Sequence, residues 1–274
     1  MKKIKISIII PTLNEEVFLP KLLQSLSNQT DTDFEVVVTD GKSKDNTILK
    51  ANTFKDKINK LKIITCDHAS LPYQRNRGAD VADGDLLIFS DADNFFLPYA
   101  ISRMREYITV HEPSFFTTWF SPDTDVRSEV ILTVLGNLLI EGSILLKRSF
   151  SPGPLTVVTR EVFKKVNGYN ESASWGEDMD FAQRVVKSGY HLDIIRETLY
   201  VWSMRRFRKE GTMKVLQKFA KASLYVLLTK RTLTKMDGYE MGGHLYTKRT
   251  KIIKPSVLKT IDSRLKRLLR EFFE

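Results

Sequence analysis

A repeated alternation in the first third of the chain constrains its fold more than any other feature. Short β-rich runs, "IKISIII" at 4–10, "FEVVVTD" at 34–40, "LKIITC" at 61–66 and "DLLIFSD" at 85–91, are separated by helical patterns at 15–29, 45–57 and 73–82. Strands spaced by helices of about three turns predict an α/β fold, with a mostly parallel central sheet and helices on both faces. The runs lack polar alternation, as expected when both faces of each strand are buried. In such sheets ligands bind beyond the carboxyl ends of the strands. Three runs end there in polar clusters, "PTLNEE", "TDGKSKDNT" and "SDADN". That edge is the expected site.

The second half is less regular. "SFFTTWF" (114–120) reads as strand, 127–147 as a long helix, and "WGEDMDFAQRVVKSGY" (175–190) as a polar turn opening a helix that stops at Gly189. "HLDII" and "LYVWS" read as two short strands, and the rest as helical apart from a glycine-rich break at 237–246. The apolar segments 130–146 and 219–228 are short for a bilayer core, and the first carries Asn137 and Glu141, so neither is expected to span. The first apolar run is only a strand long, so no signal peptide is expected. From Pro255 onward, Val257, Ile261, Leu265, Leu268, Leu269 and Phe272 recur at helical spacing with Lys and Arg opposite. This describes a helix that packs on the domain or lies on anionic lipid.

Charge is unevenly placed. The chain of 274 residues carries a net +10, yet from Arg205 to the end there are 19 basic and 6 acidic residues, which leaves the first 204 at −3. A near-neutral body with a basic tail fits a phosphate-bearing partner: anionic lipid, nucleotide or nucleic acid. Nucleic acid would explain the tail but not the carboxylates described next, so no nucleic acid is expected. The one cysteine, Cys66, excludes an internal disulfide and a multi-cysteine metal site, and suits a reduced, cytoplasmic protein.

In "IFSDADNFF" a buried run ends in two acids one residue apart, Asp91 and Asp93. Strand alternation would put both carboxylates on one side, where a hard divalent cation can bind and bridge to phosphate. A helix cap beside a solvated acid is the other reading of the pair. Asp40 ends an earlier strand and should project toward the same edge, and Arg75 and Arg77 in "YQRNRGA" could neutralise phosphate. Glu177, Asp178 and Asp180 lie at a helix start, where acids are favoured in any case. Arg205 and Arg206 follow a strand, either as a diphosphate clamp or as the start of the basic tail. His191 and His244 could each add a metal ligand, though a lone histidine is more often structural.

The motifs "ISIIIPTLNEE", "VVVTDGKSKDNT", "QRNRGADVADGDLLIFSDADN" and "WGEDMDFAQRV" stand in a familiar order and spacing. Over roughly residues 4–205 the chain resembles the family 2 glycosyltransferases with the GT-A (Rossmann-like) fold. That resemblance implies a nucleotide-sugar donor such as a UDP- or GDP-sugar, a Mg²⁺ or Mn²⁺ ion on the D-x-D pair, and transfer to an acceptor hydroxyl, usually with inversion. It also implies that Pro11, Thr12, Asn14, Glu15 and Asp40 hold the nucleoside. Asp91 would lie by the ribose and metal, Asp93 would bind the metal bridging the diphosphate, and Asp178 matches the catalytic base. A GT-A domain would then occupy 1–205, with a nucleotide-binding half at 1–112 and an acceptor half at 113–205, followed by a helical basic extension at 206–274.

Two departures matter. Many relatives have adjacent acids after the second strand, whereas here the pair is Asp40–Gly41, which leaves base preference open. No Q-x-x-R-W occurs, which argues for one sugar per event. A nucleotidylyltransferase needs a glycine-rich turn after the first strand and an NAD enzyme needs G-x-G-x-x-G there, and neither is present. A non-catalytic nucleotide-sugar or lipid-binding protein on the same fold would be expected to have lost the D-x-D or the base. The expected protein is therefore a metal-dependent cytoplasmic transferase, peripheral on the inner face of the cell membrane, whose acceptor is lipid-linked or membrane-proximal.

Overall fold

A computed structural model describes residues 4–145, 153–173, 175–218, 221 and 242–246. Its first half is built as the apolar runs dictate. Strands β1 (Ile6–Thr12), β2 (Glu35–Asp40), β3 (Leu61–Thr65) and β4 (Leu86–Ser90) are parallel, with β1 between β2 and β4. The helices α1 (Leu19–Ser27), α2 (Thr47–Asn52) and α3 (Leu71–Val81) connect them. Ile8, Ile9, Ile10, Val36, Val37, Val38, Leu87, Ile88 and Phe89 are fully buried, which is why the strands show no polar alternation. In α1, Leu19, Leu22, Leu23 and Leu26 form one buried stripe at helical spacing. Each contributes about 1.5–3 kcal/mol by leaving water. Pro20 sits in the first turn, where a missing amide proton costs nothing.

The helix α3 packs tightly on the sheet at Gly78. A Cβ on Gly78 would come 2.3 Å from Ile9 Cγ2 and 3.1 Å from Thr39 Cγ2, so only glycine allows this contact. The carboxyl end of α3 is capped from afar. Arg160 donates to the carbonyls of Ala79 (2.9 Å), Ala82 (2.7 Å) and Gly84 (2.7 Å).

Next along the chain come β5 (Phe95–Phe96), α4 (Ala100–His111), β6 (Phe115–Pro122), α5 (Arg127–Leu145), β7 (Leu155–Thr159) and α6 (Arg160–Lys165). They are followed by α7 (Glu177–Lys187), β8 (Asp193–Trp202), α8 (Arg205–Glu210) and a 3-10 turn at Gly243–Tyr246. One sheet runs in the order β3-β2-β1-β4-β7-β6-β8-β5. Strand β7 is antiparallel to both β4 and β6, β8 is parallel to β6, and β5 is antiparallel to β8. Hence β6 and β8 end at the same edge as β1, β2 and β4, and β7 begins there. This topology carries Gly153, Pro154 and Arg205 to the edge that already holds Thr12, Asp40 and Asp91.

Some expectations change. The two short strands expected near 191–203 are a single strand, β8. Arg196 and Glu197 in mid-strand break its apolar pattern, and its register against β6 shifts at Thr118/Trp119 and Trp119/Phe120. The sequence pattern left α4, β5, β7 and α6 unassigned. Except for Lys221, the apolar stretch at 219–228 lies outside the described residues, as does the amphipathic pattern from Pro255. Among the described residues no helix is long and apolar enough to cross a membrane.

Gly78→Ala should lower unfolding stability by about 1–3 kcal/mol through overpacking, measured by urea denaturation. Gly142→Ala in α5 meets open space within 4 Å and should be neutral or stabilise by up to about 1 kcal/mol.

Candidate active site

Strand β4 stops at Ser90, and the D-x-D pair lies in the turn that follows. The Asn94 amide donates to the Asp91 carbonyl (3.3 Å) and the Asp91 amide to the Pro154 carbonyl (3.1 Å), while Asn94 Nδ2 donates to Pro154 O (2.6 Å). Asp91 and Asp93 therefore meet through a turn pinned to the start of β7, and not through strand alternation as expected.

Arg75 and Arg77 separate. Residues two apart on a helix point in nearly opposite directions. Arg77 faces outward, half-exposed and 3.4 Å from Asp80. Arg75 faces inward and is 1% exposed. Its Nη1 donates to Glu177 Oε1 (3.0 Å), and its Nη2 to Asp91 Oδ1 (3.1 Å) and the Gly153 carbonyl (2.9 Å). The guanidinium lies 5.0 Å from the centre of the Tyr169 ring. A buried guanidinium must have its charge and protons matched locally, and carboxylates of the protein match them here.

The base candidate stands on the other side of this arginine. Gly176 takes a left-handed φ of +76° and turns the chain into α7, so that Glu177 and Asp178 fall in its first turn. Asp178 Oδ1 accepts from the Met179 amide (2.8 Å). A Cβ on Gly153 would lie 2.9 Å from Asp178 Oδ2, so the glycine keeps that oxygen's surroundings open. Burial pushes the Asp178 carboxyl up to about 7; the Glu177 charge adds to this and Arg75 opposes it.

A second arginine gathers the donor side. Arg205, at the start of α8, grips Glu15 with Nη1 (2.8 Å) and Nη2 (2.7 Å), and its Nε lies 2.7 Å from Asp93 Oδ2. Its guanidinium is flanked by the rings of Phe18 (4.3 Å) and Tyr246 (5.0 Å). Arg206 Nε donates to Tyr246 Oη (3.1 Å). Burial raises the carboxyl of Glu15 against the pull of Arg205, and pushes Asp93 up to about 6 against the same arginine. Asp91 is raised too, by burial opposed by Arg75.

The strand ends beyond β1 and β2 are tied together. Pro11 and Thr12 pair with Thr39 and Asp40 in the ladder. Asp40 accepts from Thr12 Oγ1 (3.2 Å) and the Ser43 amide (2.8 Å). Asn14, with a left-handed φ of +53°, accepts from the Lys44 amide at 2.7 Å. Gln74 was not foreseen, yet its Nε2 donates to the carbonyls of Thr12 (2.9 Å) and Thr39 (2.6 Å) and ties both strands. Its place beside Arg75 in "QRNRGA" was the available signal. Gly41 also gains a reason, because a Cβ there would sit 2.9 Å from Gln74 Oε1 and 3.0 Å from Ala69 Cα. A second acid after Asp40 has no room. His244 Nδ1 lies 3.1 Å from Asn14 Nδ2, and His191 is exposed, 3.5 Å from Asp193.

Five acids, Glu15, Asp91, Asp93, Glu177 and Asp178, thus face three arginines, Arg75, Arg205 and Arg206. Four of the five carboxyls are raised, chiefly by burial, against the pull of Arg75 and Arg205. Hard oxygen donors with surplus negative charge fit a divalent cation. Among the described residues no group of three or more His, Cys, Asp or Glu could hold such an ion alone, so ligand oxygens would have to complete its shell.

The mixed, mostly parallel sheet with its helices is of the GT-A type, and the acids line one edge of it. The family described as Glycosyl transferase family 2 matches residues 7–166, and the chain belongs to it. A second family, N-terminal domain of galactosyltransferase, matches residues 148–209. A PGL/p-HBAD biosynthesis glycosyltransferase of Mycobacterium bovis is 42% identical over 110 residues, 39% of this chain and 43% of that protein. This chain thus spans less than half the length of that relative. The GalNAc(5)-diNAcBac-PP-undecaprenol beta-1,3-glucosyltransferase of Campylobacter jejuni is 31% identical over 104 residues, 37% of this chain and 34% of that protein. Among solved structures, the mannosyltransferase PcManGT of Pyrobaculum calidifontis, in complex with GDP-Man and Mn²⁺, superposes with a TM-score of 0.60 at 17% identity, covering 82% of this chain and 65% of that one. At that identity the likeness speaks for the fold.

The raised carboxyls give the stability a definite pH slope. Asp93 and Asp178 retain protons in the folded protein that an unfolded aspartate, with a pKa of about 3.9, has already released. The folded state binds more protons across that window, so stability falls as pH rises from about 4 to about 7. In EDTA the melting temperature should drop between about pH 5 and about pH 8, and Asp178→Asn should remove the part of the drop nearest neutrality. Parallel curves for the two proteins would contradict this.

Proposed function

We propose that the chain transfers one sugar from a nucleoside-diphosphate sugar to an acceptor hydroxyl, with inversion, and requires Mg²⁺ or Mn²⁺. The observation that carries this reading is the Arg75 bridge, which fastens the D-x-D turn to the helix bearing Asp178. The donor's diphosphate would enter beside Asp91, Asp93, Arg205 and Arg206, and its nucleoside would rest on Pro11, Thr12, Asn14, Glu15 and Asp40. The diphosphate adds negative charge to a site already short of positive charge. Asp91 and Asp93 would hold the divalent cation, which when bound offsets the charge developing on the departing nucleoside diphosphate. The mannosyltransferase solved with GDP-Man and Mn²⁺ supports that requirement.

Asp178 takes the acceptor hydroxyl's proton as its oxygen attacks the anomeric carbon. A base poised near neutrality suits this step, since it is ionised at working pH yet basic enough to accept. With one base on the acceptor side and the leaving group opposite, a single displacement inverts the configuration. The acceptor proposed is lipid-linked, and the protein would work peripherally on the inner face of the cell membrane. The undecaprenol-linked substrate in the Campylobacter relative's name and the basic residues after Arg205 support this. The division into a transferase domain at 1–205 and a basic extension at 206–274 belongs to the same reading.

Screening UDP- and GDP-sugars for Mn²⁺-dependent release of the nucleoside diphosphate identifies the donor. Asp178→Asn should then cut transfer by about two orders of magnitude or more while leaving nucleoside diphosphate affinity nearly unchanged. Near-wild-type turnover in that variant would move the base elsewhere. Asp93→Ala should abolish metal-dependent binding, read by calorimetry with and without EDTA. Equal affinity in both conditions would remove the metal from the proposal.

A further inference from the structure

One side chain claims the backbone carbonyls at the ends of β1 and β2. Gln74 Nε2 donates to the carbonyls of Thr12 (2.9 Å) and Thr39 (2.6 Å). Carbonyls can only accept, so the amide nitrogen must face them and Oε1 must face the other way. On that side stands Gly41, the first residue beyond β2. A Cβ there would lie 2.9 Å from Gln74 Oε1 and 3.0 Å from Ala69 Cα, so any other residue at this position would crowd the oxygen. Gln74 is 3% exposed, and among the described residues no group donates to its Oε1. An amide oxygen so buried normally has a donor. The neighbouring acceptors are already engaged. Thr12 O also accepts from the Gly41 amide (2.8 Å), and Asp40 accepts from Thr12 Oγ1 (3.2 Å), the Ser43 amide (2.8 Å) and Ser43 Oγ.

We infer that Gln74 reads the donor's nucleobase, its Oε1 accepting a hydrogen bond from a protonated ring nitrogen. Uracil at N3 and guanine at N1 carry such a proton, each beside a carbonyl. Cytosine at N3 and adenine at N1 present a lone pair instead, which would face the lone pairs of Oε1. The site therefore takes uracil or guanine and refuses cytosine and adenine. This rests on the nucleoside position proposed above, since a base lying on Pro11, Thr12 and Asp40 meets the Gln74 amide at the ends of the same two strands. The amide cannot adapt to the wrong base. Turning it over to offer its nitrogen would set Oε1 against the carbonyls of Thr12 and Thr39, and two hydrogen bonds would be lost. Gly41 gains a second reason as well. Bare backbone leaves Oε1 uncovered, so a neutral acceptor from α3 stands where a side chain after β2 would begin.

The test is calorimetric binding of nucleoside diphosphates to the full chain in the presence of Mn²⁺. UDP or GDP should bind at least about tenfold more tightly than CDP and ADP, and the tighter of the two identifies the base. The methylated form of that ligand, 3-methyl-UDP or 1-methyl-GDP, lacks the ring proton and should lose a comparable factor. Gln74→Met keeps the length of the side chain and removes both of its polar atoms. A purely structural role would weaken every ligand alike and preserve the ratios between them. The inference requires the ratio of UDP to CDP, or of GDP to ADP, to fall toward unity in this variant. Should the variant not fold, the ligands compared on the unaltered protein decide alone. Equal affinity for the methylated and parent ligands overturns the inference, as do ratios preserved in Gln74→Met. Wild-type protein that binds all four nucleoside diphosphates equally overturns it too, while leaving the transferase reading in place. If none of the four binds, the donor reading itself fails and takes the inference with it.

Discussion

The site depends on one guanidinium with almost no access to water. Arg75 reaches from α3 to the turn after β4, the residue before β7 and the first turn of α7. No other described side chain joins these segments at once. Its burial is tolerable because two carboxylates and a carbonyl surround it, with the Tyr169 ring alongside. Without it, Asp91, Glu177 and Asp178 would face one another with no cation between them. Removing one partner of a buried ion pair costs on the order of 3–5 kcal/mol, and here two acids would be stranded. Burial raises the carboxyl of Asp178, with the Glu177 charge adding to it and Arg75 opposing it. One arrangement both holds the site together and gives its base a near-neutral affinity for a proton.

The topology supplies what Arg75 cannot reach. Because β7 reverses direction beside β4, its first residues arrive at the edge where the parallel strands end. Because β6 and β8 then run with β4, the chain leaves β8 at that edge too, directly into Arg205. A purely parallel continuation would have placed Gly153 at the opposite edge, far from Asp91. The antiparallel insertion is therefore a requirement of the site, and it brings acids from the first half under arginines from both halves.

The parallel half of the sheet was legible because burial on both faces leaves short, uninterrupted, β-branched runs bounded by polar turns. The strand edge was legible for the same reason, since polar clusters end those runs. Legibility failed where partners lie far apart in sequence. Arg75 and Arg77 look alike in "QRNRGA", and only the helix phase relative to the sheet separates a buried bridge from an exposed surface pair. The absent second acid at Gly41 reads as a lost contact, whereas the structure shows a crowded approach by Gln74 and Ala69. Strand β8 read as two because Arg196 and Glu197 interrupt its apolar run, and nothing local shows that pairing with β6 carries the strand through them. The long helix expected at 127–147 is α5, and its run of apolar residues does not say which side meets the protein. Ile140 is buried and Asn137 and Glu141 turn toward Phe120 and Trp119, while Val134, Leu135, Leu138 and Leu139 are exposed.

A chain of ion pairs and hydrogen bonds links the start of α5 to the donor side. Asp123, just before α5, accepts from the Met204 amide (2.9 Å) and Ser203 Oγ (3.1 Å) and is gripped by Arg208 at 2.8 and 2.6 Å. Arg208 also stands beside Glu129 of α5. One turn earlier in the same short helix, Arg205 holds Glu15 and Asp93. Residues three apart on a helix lie on one side of it, so the two arginines act as neighbouring posts of a single rigid element. A displacement of α5 against the sheet must strain the Arg208–Asp123 pair or carry α8 with it, and in the second case it moves the guanidinium that neutralises Asp93. The start of α5 and the charge balance at the D-x-D turn are therefore linked through α8.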